Sequence, residues 1–181
     1  MLLVLWSFKT AKSLKQSLYR IADPCLRFYL KMIEPNLAKI SVGGFQDVIL
    51  QTLPGFETHL GLQLEYLLFQ NRLLLLKAIG VLSADIVSDG PYRQPKTTKQ
   101  KGCQVDYLIQ TATRSLFICE FKFRKREISS EIINEMQNKI STLKVPRGFA
   151  GVPVLFHLSG VSDAVVTSLY FYRIVDFLDT N

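Results

Sequence analysis

The chain has 181 residues, of which 48% are hydrophobic and 20% charged, and its formal net charge is +7. This length is enough for one main domain with its own core, and the composition excludes a disordered chain. The basic charge favours a polyanionic partner such as nucleic acid. Cys25, Cys103 and Cys119 have no CxxC spacing, which argues against a disulfide framework or a zinc ribbon and favours a reducing cytoplasm.

The apolar runs do not predict a membrane anchor. Residues 1–6 are too short to cross a bilayer, and no small-residue cleavage site follows them. Residues 73–82 contain Lys77 and have about half the length of a membrane span. We therefore expect no signal peptide and no transmembrane helix, and we predict a core helix over residues 73–82.

The first third of the chain is predicted to be helical. Apolar residues recur at helical spacing over residues 9–30 and are interrupted at Asp23-Pro24, where Asp can cap one helix and Pro can open the next. Residues 40–56 contain Gly and Pro pairs typical of a linker, with room for one short helix. We therefore predict a helical segment and linker over residues 1–56 and the main domain over residues 57–181.

The main domain has the alternating pattern of an α/β fold. Leucine-rich and amphipathic stretches predict helices, and stretches rich in Val, Ile, Tyr and Phe predict strands. The first strand is expected to end at Asp89-Gly90-Pro91. In order, we predict one long or two abutting helices over 59–79, strands over 84–88, 104–110 and 116–123, a helix over 128–143, a strand over 152–158, a helix over 162–170 and a strand over 172–178.

Four polar residues are expected to meet on the second and third strands. If these strands form a hairpin centred on Thr113, Asp106 faces Glu120 and Gln104 faces Lys122. Left unpaired on such apolar strands, these groups would cost several kcal/mol, so a metal ion or mutual pairing has to compensate them. The other strand face is predicted to be core and comprises Val105, Tyr107, Ile109, Phe117, Cys119, Phe121 and Phe123.

The same residues suit metal-dependent chemistry. The carboxylates of Asp106 and Glu120, with the backbone carbonyl of Phe121, would form an oxygen shell that fits Mg²⁺ or Mn²⁺. Such an ion polarises a phosphodiester and acidifies the attacking water. Lys122 would stabilise developing negative charge or position the water, and Gln104 would orient Asp106 or contact a phosphate. The alternative is a structural ion pair in which Lys122 neutralises the two acids.

Asp106, followed by Glu120-Phe121-Lys122 on the next strand, resembles the signature of the PD-(D/E)XK nuclease superfamily. The resemblance implies a restriction-endonuclease-like core of a helix, three strands, a helix and a strand. It also implies metal-dependent cleavage of nucleic acid, with DNA favoured over RNA. Members often add a glutamate from the helix before the first strand, and Glu65 matches that place. A solvated helix charge is the alternative for Glu65.

A closer resemblance is to a nuclease-like domain of unknown function at the C-terminus of prokaryotic P-loop ATPases. The matching stretches are residues 19–28 (YRIADPCLRF), 102–109 (GCQVDYLI) and 118–123 (ICEFKF). The chain contains no GxxxxGK[ST] motif, so the ATPase module is absent from it. The resemblance therefore implies a stand-alone descendant or a piece of a larger protein, with an ATPase module as a possible partner in trans.

Two basic groups flank the predicted site. One group is Lys96, Lys99 and Lys101, and the other is Arg124, Lys125 and Arg126. They are expected to contact a phosphate backbone, although solvated loop charges are the alternative.

Two other function classes also stay open: a catalytically inactive, nuclease-derived domain that binds DNA or protein, and a structural module marked by exposed apolar residues on the N-terminal helices. The oligomeric state is open.

Overall fold

The computed structural model describes residues 2–3, 18–19, 21–123 and 126–179. Two short strands, β1 (Leu2–Leu3) and β2 (Leu18–Tyr19), pair antiparallel. Most of the first predicted helix lies outside the described residues. The second begins as predicted, because the Asp23 side chain accepts a hydrogen bond of 2.9 Å from the Leu26 N–H and Pro24 opens the helix.

The rest of this segment is a series of short helices. The chain runs through α1 (Pro24–Phe28), a π-helical turn (Tyr29–Ile33), a 3-10 turn (Glu34–Asn36), α2 (Leu37–Ser41) and a 3-10 turn (Leu50–Thr52). The predicted small N-terminal helical segment is therefore confirmed.

Two abutting helices open the main domain. They are α3 (Phe56–Gln70) and α4 (Arg72–Ile79), which are separated at Asn71. The Asn71 backbone N–H bonds to the carbonyls of Leu67 and Leu68, and this closes the first helix. Leu75, Leu76 and Ile79 are buried, so α4 packs in the core as predicted. Among the described residues, no helix has the length and apolar character needed to cross a membrane.

A five-stranded mixed sheet follows, with its strands in chain order. The first three strands are antiparallel neighbours and the last three are parallel neighbours. The predicted α/β class and the predicted order of helix, three strands, helix, strand, helix, strand are confirmed. The elements are β3 (Ile86–Gln94), β4 (Cys103–Thr111), β5 (Ser115–Lys122), α5 (Glu131–Thr142), β6 (Ala150–His157), α6 (Asp163–Thr167) and β7 (Arg173–Asp176), ending in a 3-10 turn (Phe177–Asp179).

Helices cover both faces of this sheet. On one face, residues of α3 and α4 pack against Tyr107, Cys119 and Phe121. On the other face, α5 and α6 pack against Ile118 and Leu155. Because side chains alternate along a strand, β5 contributes to both cores. The sheet is thus the middle layer of three, and its two faces have different helical neighbours.

β3 does not end at Asp89-Gly90-Pro91, which corrects the sequence prediction. Between the pairs Gly90↔Leu108 and Tyr92↔Val105, one β3 residue faces two β4 residues, so β4 carries a bulge at residues 106–107. Pro91 lies at this irregularity, where a strand can accommodate a residue without an N–H donor. The strand therefore continues to Gln94.

The bulge also corrects the predicted core face. Before the bulge, Cys103 and Val105 pack with the residues of α5, whereas Tyr107 and Ile109 pack with α3 and α4. An extra residue in a strand shifts the two-residue alternation by one. Val105 consequently lies on the opposite face from the one predicted, and Asp106 lies at the point where the faces exchange.

Candidate active site

The candidate site lies where β4 and β5 separate. Their pairing runs from Gln110↔Leu116 to Tyr107↔Cys119, which is the register predicted for a hairpin centred on Thr113. Beyond Tyr107 and Cys119, β4 stays paired with β3 and β5 stays paired with β6. We call this opening the strand fork. Asp106 and Glu120 are the first residues on its two sides.

At the fork, the Asp106 side chain replaces a backbone hydrogen bond between the strands. Its carboxylate Oδ2 accepts a hydrogen bond of 2.9 Å from the backbone N–H of Phe121. This bond satisfies an N–H that has lost its partner strand. Asp106 therefore lies within the electrostatic reach of Glu120 and Lys122, as predicted.

Gln104 does not face Lys122, which corrects the prediction. Gln104 pairs with Arg93 of β3 and its side chain is exposed. The β4–β5 ladder has already ended at Tyr107, and the bulge has reversed the alternation. Since Cys103 packs on the α5 face, the adjacent Gln104 points to the other face.

Glu120 and Lys122 belong to an ion network completed by α5. Lys139 Nζ bonds to Glu120 Oε2, and Lys122 Nζ lies 3.2 Å from Glu120 Oε1 and 2.7 Å from Glu135 Oε2. The Glu120 and Lys122 side chains are only 10% and 14% exposed. We call Glu120, Lys122, Glu135 and Lys139 the ion network. Both oxygens of Glu120 are thus engaged by ammonium groups.

Glu135 and Lys139 are site residues that the sequence did not predict. They are four residues apart on α5, one helical turn, and so share one face of that helix. The sequence does predict the apolar stripe of this helix, and Ile132 and Met136 in that stripe are buried. The available signal was the spacing of this acid and this lysine, which lie one turn apart beside that stripe on the helix predicted over residues 128–143.

Burial and neighbouring charges change the pKa values of Asp106 and Lys122. Burial and then the charge of Glu120 raise the pKa of Asp106 to about 6, although Lys139, the Phe121 N–H and Lys122 oppose this. Burial alone would lower the pKa of Lys122, but its bonds to Glu135 and Glu120 outweigh burial and raise it. Lys122 therefore stays charged, whereas the negative charge on Asp106 is incompletely compensated.

This raised pKa predicts a pH-dependent stability in metal-free buffer. A carboxyl whose pKa rises on folding binds more protons in the folded state, so its contribution is present below about pH 4 and lost as pH rises through about 6. We expect wild-type unfolding free energy to fall by about 2 kcal/mol more over this range than that of Asp106→Asn. Urea unfolding in EDTA at several pH values measures the difference. Parallel pH profiles of the two proteins would contradict the assignment.

Glu65 is not brought together with the two strand acids. It lies on α3 three and four residues before Leu68 and Phe69, and the Phe69 ring contacts Tyr107 and Phe121. Tyr107 and Phe121 occupy one face of the sheet, and Glu120 and Lys122 lie on the opposite face. Within the described residues, no three His, Cys, Asp or Glu side chains form a group that could hold a metal ion.

An open groove of about 700 Å³ lies beside Lys122. Arg126, one of the predicted nucleic-acid contacts, lines it, and so does Glu57 at the start of α3. Acids outnumber bases in this lining, so the groove by itself does not attract a phosphate backbone. Its lining residues are Glu57, Lys122, Arg126, Glu127, Ile128, Ser129, Glu131, Ile132 and Glu135.

Three other predicted basic contacts share one loop. Lys96, Lys99 and Lys101 are exposed in the loop between β3 and β4. β4 begins where β5 ends because the two strands are antiparallel, so this loop lies at the same edge of the sheet as Lys122. Arg124 and Lys125 lie outside the described residues.

The donor chemistry of the fork fits a divalent cation. Asp106 and Glu120 offer oxygen atoms in a desolvated setting. Burial and then the charge of Glu120 raise the pKa of Asp106, and a cation would compensate that charge. Glu120, however, already has both oxygens bound to lysines. A cation in contact with Glu120 would therefore have to replace at least one ammonium group.

Comparisons with known proteins add little to this geometry. No protein-family model matches the chain, and no curated protein matches it. One similar solved structure is the crystal structure of a repair endonuclease from Pyrococcus abyssi, at 12% identity and a TM-score of 0.39. The alignment covers 61% of this chain and 43% of that one, so this chain matches less than half of the endonuclease. The functional interpretation therefore depends on the site.

Proposed function

We propose that this chain hydrolyses phosphodiester bonds of nucleic acid with the help of Mg²⁺ or Mn²⁺, and that DNA is the substrate. One observation carries the proposal. The strand fork brings Asp106 within electrostatic reach of Glu120 and Lys122, and Lys122 also lines an open groove. Two partly buried acids with a lysine at a break in a sheet combine metal-binding and charge-stabilising groups in one place.

Each residue of the site would have a separate role. Asp106 and Glu120, with the backbone carbonyl of Phe121, would hold the ion, and Lys122 would stabilise negative charge or position water. The bound ion would supply polarisation of the phosphodiester and a more acidic water. The Phe121 N–H fixes the Asp106 carboxylate, and Glu135 fixes the Lys122 ammonium group. We leave Glu65 out of the proposed shell because, within the described residues, it forms no metal-holding group with the two strand acids.

The path of the nucleic acid is proposed to follow the β3–β4 loop. The groove lining is acidic, whereas Lys96, Lys99 and Lys101 are exposed at the same sheet edge. A phosphate backbone is attracted to clustered lysines and repelled by carboxylates. Arg126 would then be one basic contact on the groove side of the fork, and Arg124 and Lys125 stay proposed contacts beside it in sequence.

Replacing Lys99 and Lys101 with Ala together is expected to weaken DNA binding uniformly across sequences. Each lost phosphate contact lowers the slope of log affinity against log salt by about 0.9, so the double variant should lose about 1 to 2 units of slope. Fluorescence anisotropy at several salt concentrations measures this. The matched control is Lys31→Ala with Lys77→Ala, two exposed lysines on helices. Equal slopes in wild type and the Lys99/Lys101 variant would contradict this path.

The proposed activity is tested by incubating the pure wild-type chain with supercoiled plasmid, single-stranded DNA and single-stranded RNA. Each substrate is combined with Mg²⁺, Mn²⁺ or EDTA. The proposal predicts cleavage of DNA with either metal and none in EDTA. Binding of DNA without cleavage under any condition would instead indicate a catalytically inactive, nuclease-derived binding domain.

A second candidate function, protein interaction, has its own support. Several apolar side chains between residues 21 and 50 are exposed, and an apolar cleft of about 240 Å³ lies among Phe28, Met32, Ile40 and Phe45. Exposed apolar clusters of this kind mark interaction surfaces. An ATPase module in trans is the partner suggested by the resemblance. Light scattering across a concentration series tests self-association through the same surface.

A further inference from the structure

We infer that Lys139 is a built-in counter-ion of the site, which occupies Glu120 until a divalent cation displaces it. The inference rests on the proposed function, because it concerns how the same site takes up its metal. Lys139 would thereby determine metal affinity, although it stands on α5 and outside the strand pair that carries the acids. It is a positioning residue, since it acts through Glu120.

The two carboxylate oxygens of Glu120 are bound by different lysines. Lys139 Nζ bonds to Oε2, while Lys122 Nζ lies 3.2 Å from Oε1. Lys122 also bonds to Glu135 at 2.7 Å, so it has a second carboxylate within the ion network. Among the ion pairs of the described residues, Lys139 has Glu120 alone. A cation that binds Oε2 of Glu120 therefore has to displace Lys139 from that atom.

The backbone of α5 cannot move away with Lys139. Ile132 and Met136 anchor the helix in the core. At its C-terminal end, the buried Gln94 side chain donates to the Thr142 carbonyl at 2.9 Å and accepts from the Lys144 N–H at 2.8 Å. These bonds fix the end of the helix to β3. Displacement must therefore occur in the Lys139 side chain.

The side chain itself has a route to solvent. Lys139 is 19% exposed, more than Glu120 at 10%, so the ammonium group can leave without breaking the core. Lysine has a flexible four-carbon stem and a strongly hydrated head. Asp106 would remain beside the vacated carboxylate, held by the Phe121 N–H. The two acids would then face the incoming cation together.

Mn²⁺ binding to the full chain, measured by isothermal titration calorimetry, tests the inference. Lys139→Met keeps the length of the stem and removes its charge, and it should bind Mn²⁺ about tenfold more tightly than wild type. Lys144→Met, at an exposed lysine just after the same helix, should bind as wild type does. Adding Asp106→Ala to Lys139→Met should abolish the gain.

Each contrary outcome has a distinct meaning. If wild type binds Mn²⁺ and Lys139→Met binds it equally or more weakly, the counter-ion role is wrong and the proposed hydrolysis still stands. If neither protein binds Mn²⁺, both the inference and the metal-dependent function are wrong.

A second measurement needs no substitution. Lysines of the wild-type chain are acetylated with an amine-reactive reagent, and the product is read by mass spectrometry. Acetylation of Lys139 should increase several-fold when Mn²⁺ is added, while that of Lys144 stays constant. Unchanged acetylation of Lys139 at an Mn²⁺ concentration that saturates the chain would overturn the inference.

Discussion

Asp106→Asn and Lys122→Met are each expected to reduce metal-dependent DNA cleavage by about 10³-fold or more. The Asp106 change removes a charged group that we propose as a metal ligand, but it preserves the side-chain size and an oxygen that can accept from the Phe121 N–H. The Lys122 change removes the ammonium group that would stabilise the transferred phosphoryl group. Losses of single charge-stabilising groups commonly reach about 10² to 10³ in rate, and a metal ligand adds to that.

Single-turnover cleavage of supercoiled plasmid with Mn²⁺ measures these losses. Asp163→Asn on α6 and Lys144→Met after α5 are the matched controls, because each removes the same charge from an exposed position. Both should cleave within about twofold of wild type, as expected for exposed positions outside the site. If either site variant retains full activity while its thermal unfolding is unchanged, the cleavage comes from another site or another protein.

Glu120→Ala is expected to lower the unfolding free energy by about 3 kcal/mol. Removal of one partner from a buried ion pair leaves the other charges desolvated without compensation. Here Lys139 loses its carboxylate, and Lys122 retains Glu135. Asp106 can compensate part of the stranded charge, so the expected loss lies at the lower end of the usual range.

Urea unfolding at neutral pH measures this loss, with Glu131→Ala at the exposed first residue of α5 as the control. The control should change the unfolding free energy by less than about 0.5 kcal/mol. Lys139→Met in the Glu120→Ala background should recover part of the loss, because it removes the stranded charge. Equal unfolding curves for Glu120→Ala and Glu131→Ala would mean that the ion network adds nothing to stability.

Much of the fold was predictable because its signals are local. Alternating and continuous apolar runs predicted β5 and β6, and the loop centred on Thr113 predicted the observed pairing of β4 with β5. The cap at Asp23 and the apolar stripe of α5 were equally clear. These features depend on residues close together in sequence, where propensity and spacing act directly.

The wrong predictions concern β4, which pairs with two strands, β3 and β5. The bulge in β4 depends on its pairing with β3 across Pro91, so the alternation around Asp106 could not be derived from β4 and β5 alone. Gln104 was therefore placed on the wrong face and Val105 in the wrong core. Lys139 was missed for a similar reason, since it meets Glu120 only through the packing of α5 on the sheet.

The position of a bound metal tests the central claim most directly. Crystals of the chain soaked with Mn²⁺ would locate the ion by its anomalous scattering. We expect a peak at the strand fork, in contact with the carboxylates of Asp106 and Glu120, and the Lys139 ammonium group withdrawn from Glu120. A saturating soak without a peak at the fork, and with Lys139 still bound to Glu120, would show that the acids serve the ion network alone.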